Sequence, residues 1–102
     1  MHEKAGEFFE KMDIRDRALD SYVMGHAFRK AVDLAKRAFP NHVVTLEEEW
    51  GDWLVSQRQE DMAIEHYVQA NIFPKAIESA LAARKWNRAV QLVSNQKHDV
   101  AR

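Results

Sequence analysis

Apolar residues recur along this 102-residue chain at spacings of three and four, and no stretch alternates at two. Phe8, Phe9 and Met12 form one stripe. Ala18, Leu19, Tyr22 and Val23 form the next, and Phe28, Ala31, Val32, Ala35 and Phe39 a third. A longer stripe runs through Val43, Leu46, Trp50, Trp53 and Leu54. Three more follow: Ala63, Ile64, Tyr67 and Val68; Phe73, Ala76, Ile77, Ala80 and Leu81; then Trp86, Ala89, Val90 and Val93. A helix brings residues three and four apart onto one face, whereas a half-buried strand alternates. The pattern therefore predicts seven short helices and no sheet. Punctuation falls between the stripes. Asp16 and Asp61 are predicted N-caps, and Gly25 and Asn71 the residues just past helix ends. Asn41 is expected to cap the helix after Pro40, and Pro74 to occupy a first turn.

The chain also repeats itself. "DRALDSYVMGHAFRKAVDL", from Asp16, aligns without a gap on "DMAIEHYVQANIFPKAIES", from Asp61, at an offset of 45 residues. The two share Ala18/Ala63, Tyr22/Tyr67, Val23/Val68, Phe28/Phe73, Lys30/Lys75 and Ala31/Ala76. Alanines 18, 31, 63, 76 and 89 sit in similar tetrads, mostly 13 residues apart, which is one helix and a turn. A helix of ten or twelve residues is marginal alone. Repeated hairpins let each unit bury its stripe on the next. The predicted fold is thus an all-α solenoid of about seven short antiparallel helices, one domain over 1–102, with repeat units at about 3–39 and 41–95. Gly6 and Gly51 precede Ala18 and Ala63 by twelve residues each. These pairs are expected to be close helix crossings, with Tyr22, Tyr67, Ala76 and Ala89 completing the packing set.

That spacing resembles the tetratricopeptide repeat. Gly6, Phe9, Ala18, Tyr22 and Gly25 fall on its positions in one unit, and Gly51, Leu54, Ala63, Tyr67 and Ala70 in the other. His2 and Glu47 stand in place of its opening Trp, and Lys30 and Lys75 in place of its closing Pro. Over a longer span, "AFP..VV.LEE.WGD.LV" and "KAIE.AL.AR.W..A" resemble the helical-repeat region of the intraflagellar transport protein 172 family. The resemblance implies part of a solenoid in a large subunit of complex B of ciliary transport trains. It further implies a non-enzymatic protein-interaction scaffold needed for cilium assembly, at the cilium or flagellum and the ciliary base, on the cytoplasmic side. Implied partners are other complex B subunits and adjacent repeats of the parent chain. The other reading of the same repeats is a peptide-binding tetratricopeptide module that captures a partner segment in its groove.

Charge and composition narrow the classes. Fifteen Lys and Arg against sixteen Asp and Glu leave a net charge of −1, without the basic excess that neutralises nucleic-acid phosphates. There is no cysteine, hence no disulfide framework and no thiolate metal site. No apolar run approaches the ~20 residues of a membrane span, and "MHEKAGEFFEK" lacks the apolar core of a signal peptide. "LEEEWGD" places Glu48 and Asp52 on one helix face, a pair capable of acid–base work. It comes with no phosphate loop or nucleophile elbow and reads as a solvated face. The histidines at 2, 26, 42, 66 and 98 show no metal-ligand spacing. No catalytic residue, metal or cofactor is predicted.

Partner chemistry is expected on the first-helix faces. Glu3 and Glu7 in one unit, and Glu48 and Asp52 in the other, with Glu10, make a groove acidic enough to repel a C-terminal carboxylate and attract a basic segment. Trp53 is a candidate anchor, whereas Trp50 and Trp86 are expected in the core. Arg84, Lys85 and Arg88 read as solvated basic surface. Phe8, Phe9 and Met12, and Trp86, Val90 and Val93, have no polar caps. Self-association through these ends is therefore expected at high concentration.

Overall fold

A computed structural model of the protein describes the backbone of residues 1–100 and the side chains of residues 1–95. Its elements are α1 (His2–Lys11), α2 (Arg15–Met24), α3 (Phe28–Ala38), a 3-10 turn at Pro40–His42, α4 (Val43–Ser56), α5 (Glu60–Gln69), α6 (Phe73–Ala82) and α7 (Trp86–Val100). No strand occurs among the described residues. Contacts group the chain into two compact units, Met1–Leu46 and Glu47–Arg102. The division falls inside α4 and not at Pro40. Proline is accepted in a first helical turn, so Pro40 opens a turn that runs directly into α4.

Five connections share one build. Each has three residues, and the middle one is left-handed: Asp13, His26, Arg58, Asn71 and Arg84, with φ between 57° and 62°. The next amide then reaches five residues back. Ile14 N–H donates to Phe9 O, Gln59 to Leu54 O, Ile72 to Tyr67 O and Lys85 to Ala80 O, at 2.8–2.9 Å. This is the Schellman closure, which satisfies helix-end carbonyls. Helices of ten residues plus turns of three produce the 13-residue rhythm of the alanines.

The same turns correct the expected caps. Ile14 and Gln59, which close one helix, also stand at the N-caps of α2 and α5, and neither makes a side-chain cap bond. Asp16 and Asp61 are second residues of their helices, where their charge meets the positive end of the helix dipole. Gly25 is not left-handed (φ −88°) and His26 is. What Gly25 provides is space, because a Cβ there would lie 2.8 Å from the His2 Cβ and 3.2 Å from the Glu3 nitrogen. Asn41 lies within the 3-10 turn. None of the five left-handed residues is glycine, so each carries a steric cost of about 1 kcal/mol. Arg58→Gly, at an exposed turn, is expected to raise stability by about 0.5–1 kcal/mol. A higher urea midpoint at constant m checks this, and an unchanged midpoint would sink it.

In the first unit the core includes Ala18, Ala31, Val32, Leu34, Ala35, Tyr22 and Phe28, to which α1 adds only Gly6. In the second it includes Leu54, Ala63, Ile64, Tyr67, Ala76 and Leu92, with Trp50 and Trp53 half-buried against it. Full burial of side chains the size of Leu or Ile stabilises by ~1.5–3 kcal/mol each. Trp86 departs from expectation. It is 60% exposed, because α7 turns Ala89 and Leu92 inward and leaves Trp86, Val90 and Val93 on its outer face. Phe8 on α1 and Met12 just past its end are likewise exposed.

Candidate interaction surface

The crossing of the first two helices of each unit is built on glycine and tyrosine. A Cβ at Gly6 would lie 2.5 Å from the Tyr22 ring, and one at Gly51 would lie 2.8 Å from the Tyr67 ring. The atoms nearest each of these glycines thus belong to the tyrosine sixteen residues on. Ala18, Ala63 and Ala76 are nonetheless fully buried, and Ala89 nearly so. Each ring is anchored at its far end. Tyr22 donates its hydroxyl hydrogen to Glu10 (2.7 Å), and Tyr67 donates to Asp52 (2.5 Å). Val55 stands where the repeat offset would place Glu10 and cannot accept, so the second tyrosine uses a different turn of its neighbour.

The carboxylates expected to line an acidic groove are matched by lysines. Lys30 Nζ contacts Glu3 and donates to Glu7 Oε1 at 2.8 Å. At the 45-residue offset, Lys75 Nζ donates to Glu48 Oε2 (2.7 Å) and Asp52 Oδ1 (3.2 Å). Glu10 also accepts from Arg37 at 2.9 Å. These pairs reduce the net charge of the face on which a basic partner was expected. The signal was present in the sequence, since Lys30/Lys75 is among the repeated residues, but a helical wheel shows only one helix and these bonds span two.

One carboxylate of "LEEEWGD" is not solvated. Glu47 is 8% exposed, and its Oε2 lies 2.8 Å from His66 Nδ1. The His66 ring stacks on Trp50 with centroids 3.9 Å apart. Glu47 stands where the ideal repeat has tryptophan, and this polar pair fills that place. Arg88 is also engaged, reaching Glu65 at 2.9 Å. His98 lies outside the described side chains. No helix among the described residues is long and apolar enough to cross a membrane.

These contacts shift protonation. Burial first, then the bond to Glu10, pushes the Tyr22 hydroxyl up to about 12 from its ordinary 10.0. Burial and Asp52 push Tyr67 up as well. Lys30 is raised by its bonds to Glu3 and Glu7, and Lys75 by Glu48 above all. Glu7 is lowered by its bond to Lys30, and Glu10 by Tyr22 and Arg37. A raised folded value means the contribution is complete below the unfolded value and is lost as pH rises toward the folded one. The tyrosines and lysines therefore set an alkaline limit above pH 10, and the lowered glutamates an acid limit below 4.5. The chain has only two tyrosines, so ultraviolet titration reads this directly. Tyrosinate is expected to appear above pH 10 together with loss of helical circular dichroism. Titration of both hydroxyls near pH 10 with the helices intact would refute the anchoring.

Two of the concave surfaces of the second unit adjoin α6. A cleft of about 250 Å³ lies among Val55, Glu60, Tyr67, Lys75, Glu78 and Ser79, with Ala82 at its edge. A mostly apolar groove of about 330 Å³ runs along Ile77, Leu81, Trp86, Val90 and Val93. Glu60 is half-buried in the cleft wall.

The chain is 51% identical over 100 residues to the intraflagellar transport protein 172 homolog of Danio rerio, an alignment covering 98% of the chain and 6% of that protein. It is 46% identical over 93 residues to intraflagellar transport protein 172 of Chlamydomonas reinhardtii, covering 91% of the chain and 5% of that protein. It is 43% identical over 95 residues to intraflagellar transport protein osm-1 of Caenorhabditis elegans, covering 93% and 6%. The chain thus spans about 6% of the length of the curated relatives it matches. No family model matches it.

Proposed function

The chain is homologous, over nearly its whole length, to one segment of the intraflagellar transport protein 172 family, and from that kinship we propose that it is a solenoid segment of an intraflagellar transport complex B subunit. In this reading it is a non-enzymatic scaffold needed for cilium assembly, at the cilium or flagellum and the ciliary base. Its partners are other complex B subunits and adjacent repeats of the parent chain. The observation that carries the reading is an identity of 43–51% to proteins of a fish, an alga and a worm, each named for intraflagellar transport. The exposed apolar residues support it. Phe8 on α1 with Met12 just past its end, and Trp86, Val90 and Val93 on α7, are surfaces that further repeats would cover. Without such cover they are the surfaces through which the chain self-associates. The cleft beside Tyr67 supports a second reading in which the segment also captures a partner peptide.

The test is a chimera. This chain replaces the matching segment of the Chlamydomonas reinhardtii protein in a strain lacking that protein. Restored flagella are expected, with loss of rescue when Gly51→Leu is added. Full-length flagella in a strain whose protein simply lacks the segment would overturn the scaffold role.

A further inference from the structure

The cleft beside Tyr67 differs from the faces around it in having acceptors with nothing to accept from. Lys75, on its wall, is already held by Glu48 and Asp52. Glu60 and Glu78 form no ion pair among the described residues, and they border the same cavity of about 250 Å³. Ser79 is the second, independent sign. It is only 4% exposed and lines the cleft, yet its hydroxyl makes no hydrogen bond among the described residues. Among the described residues no buried side-chain oxygen or nitrogen is sealed away unsatisfied, so this hydroxyl is open to the cleft. A nearly buried hydroxyl normally finds a partner. Val55, Ala82 and the Tyr67 ring supply the apolar part of the lining.

We propose that this cleft receives an arginine side chain from a segment of a partner protein. The guanidinium is shared by Glu60 and Glu78, and the Ser79 hydroxyl accepts from it. Arginine suits the site because its planar fork presents several donors at once, while its aliphatic stem lies along apolar walls. The balance of charge favours a cation. Glu60 and Glu78 border the cleft, and its one lysine is already held by Glu48 and Asp52. The inference rests on the reading of this chain as a protein-interaction segment, and it moves the partner site from the expected Glu48 and Asp52 to Glu60, Glu78 and Ser79.

The probe is a short labelled peptide with one central arginine among alanines and serines, titrated against the 102-residue chain at low salt and followed by anisotropy. Saturable binding with a dissociation constant below about 1 mM is expected. A citrulline peptide, which keeps the shape and loses the charge, is expected not to bind, and a lysine peptide to bind more weakly. Glu60→Gln with Glu78→Gln is expected to weaken binding about tenfold, whereas Glu49→Gln, on exposed α4 surface, leaves it unchanged. Circular dichroism establishes that each variant is folded. Absent or non-saturable binding overturns the inference, as does equal binding of the citrulline peptide. A loss with Glu49→Gln equal to that of the cleft variant would mean diffuse attraction and overturn it too. A chain that fails these tests yet restores flagella as a chimera refutes the cleft assignment alone.

Discussion

Gly51→Leu is expected to cost ~3 kcal/mol or more, the upper range for overpacking a tight crossing. A single Cβ at Gly51 already lies 2.8 Å from the Tyr67 ring, and leucine adds three further carbons. The ring cannot swing aside cheaply, because it is nearly buried and its hydroxyl is tied to Asp52. Replacing a mid-helix glycine would by itself favour the helix by up to about 1 kcal/mol, so the clash outweighs the propensity. Gly6→Leu is expected to behave in the same way, since its Cβ would sit closer still, 2.5 Å from Tyr22. Gln57→Leu, at an exposed turn, is the control and should stay within about 0.5 kcal/mol. Urea unfolding of the three variants decides the matter. A Gly51→Leu midpoint equal to that of Gln57→Leu would show that the crossing is looser than its geometry.

Tyr67→Ala is expected to cost about 3–5 kcal/mol, the range for large aromatic truncations in a core. That is a large share of the ~5–15 kcal/mol typical of a whole domain. Tyr67→Phe keeps the ring and loses only the hydroxyl. Asp52 then retains Lys75 at 3.2 Å, so no buried charge is stranded and the loss should be about 0.5–1.5 kcal/mol. The ratio of the two separates packing from hydrogen bonding. Because Gly51 and Tyr67 touch, their effects should not add. The double variant Gly51→Leu with Tyr67→Ala is expected to be less destabilised than the sum of the single ones, since the added leucine fills space the ring vacates. Simple additivity would mean that the two residues do not share the crossing.

Much of this was legible in the sequence because it depends on local periodicity. Spacings of three and four give helices wherever the backbone is not interrupted, and the stripes at Ala18–Val23 and Ala63–Val68 lie on α2 and α5. The 45-residue offset correctly grouped Tyr22 with Tyr67 and Lys30 with Lys75, each pair doing the same job in its own unit. The family resemblance was legible for the same reason, since it is carried by short runs of residues.

What the tertiary structure alone decided lies between helices. The residue facing a glycine is set by how two axes cross, and the ring nearest Gly6 or Gly51 belongs to the tyrosine sixteen positions away. The lysines that neutralise the expected acidic face come from 23 and 27 residues along the chain. Helical periodicity says which way a side chain points, not what stands opposite. Burial of Glu47 beside His66, exposure of Trp86, and the meeting of Ser79, Glu60 and Glu78 in one cleft follow likewise from where the three-residue turns place one helix against the next. The sequence by itself determined the helices, their repetition and their kinship. Only their packing decided which charges cancel and which remain open to a partner, because electrostatic pairing acts over a few ångströms of space and not along the chain.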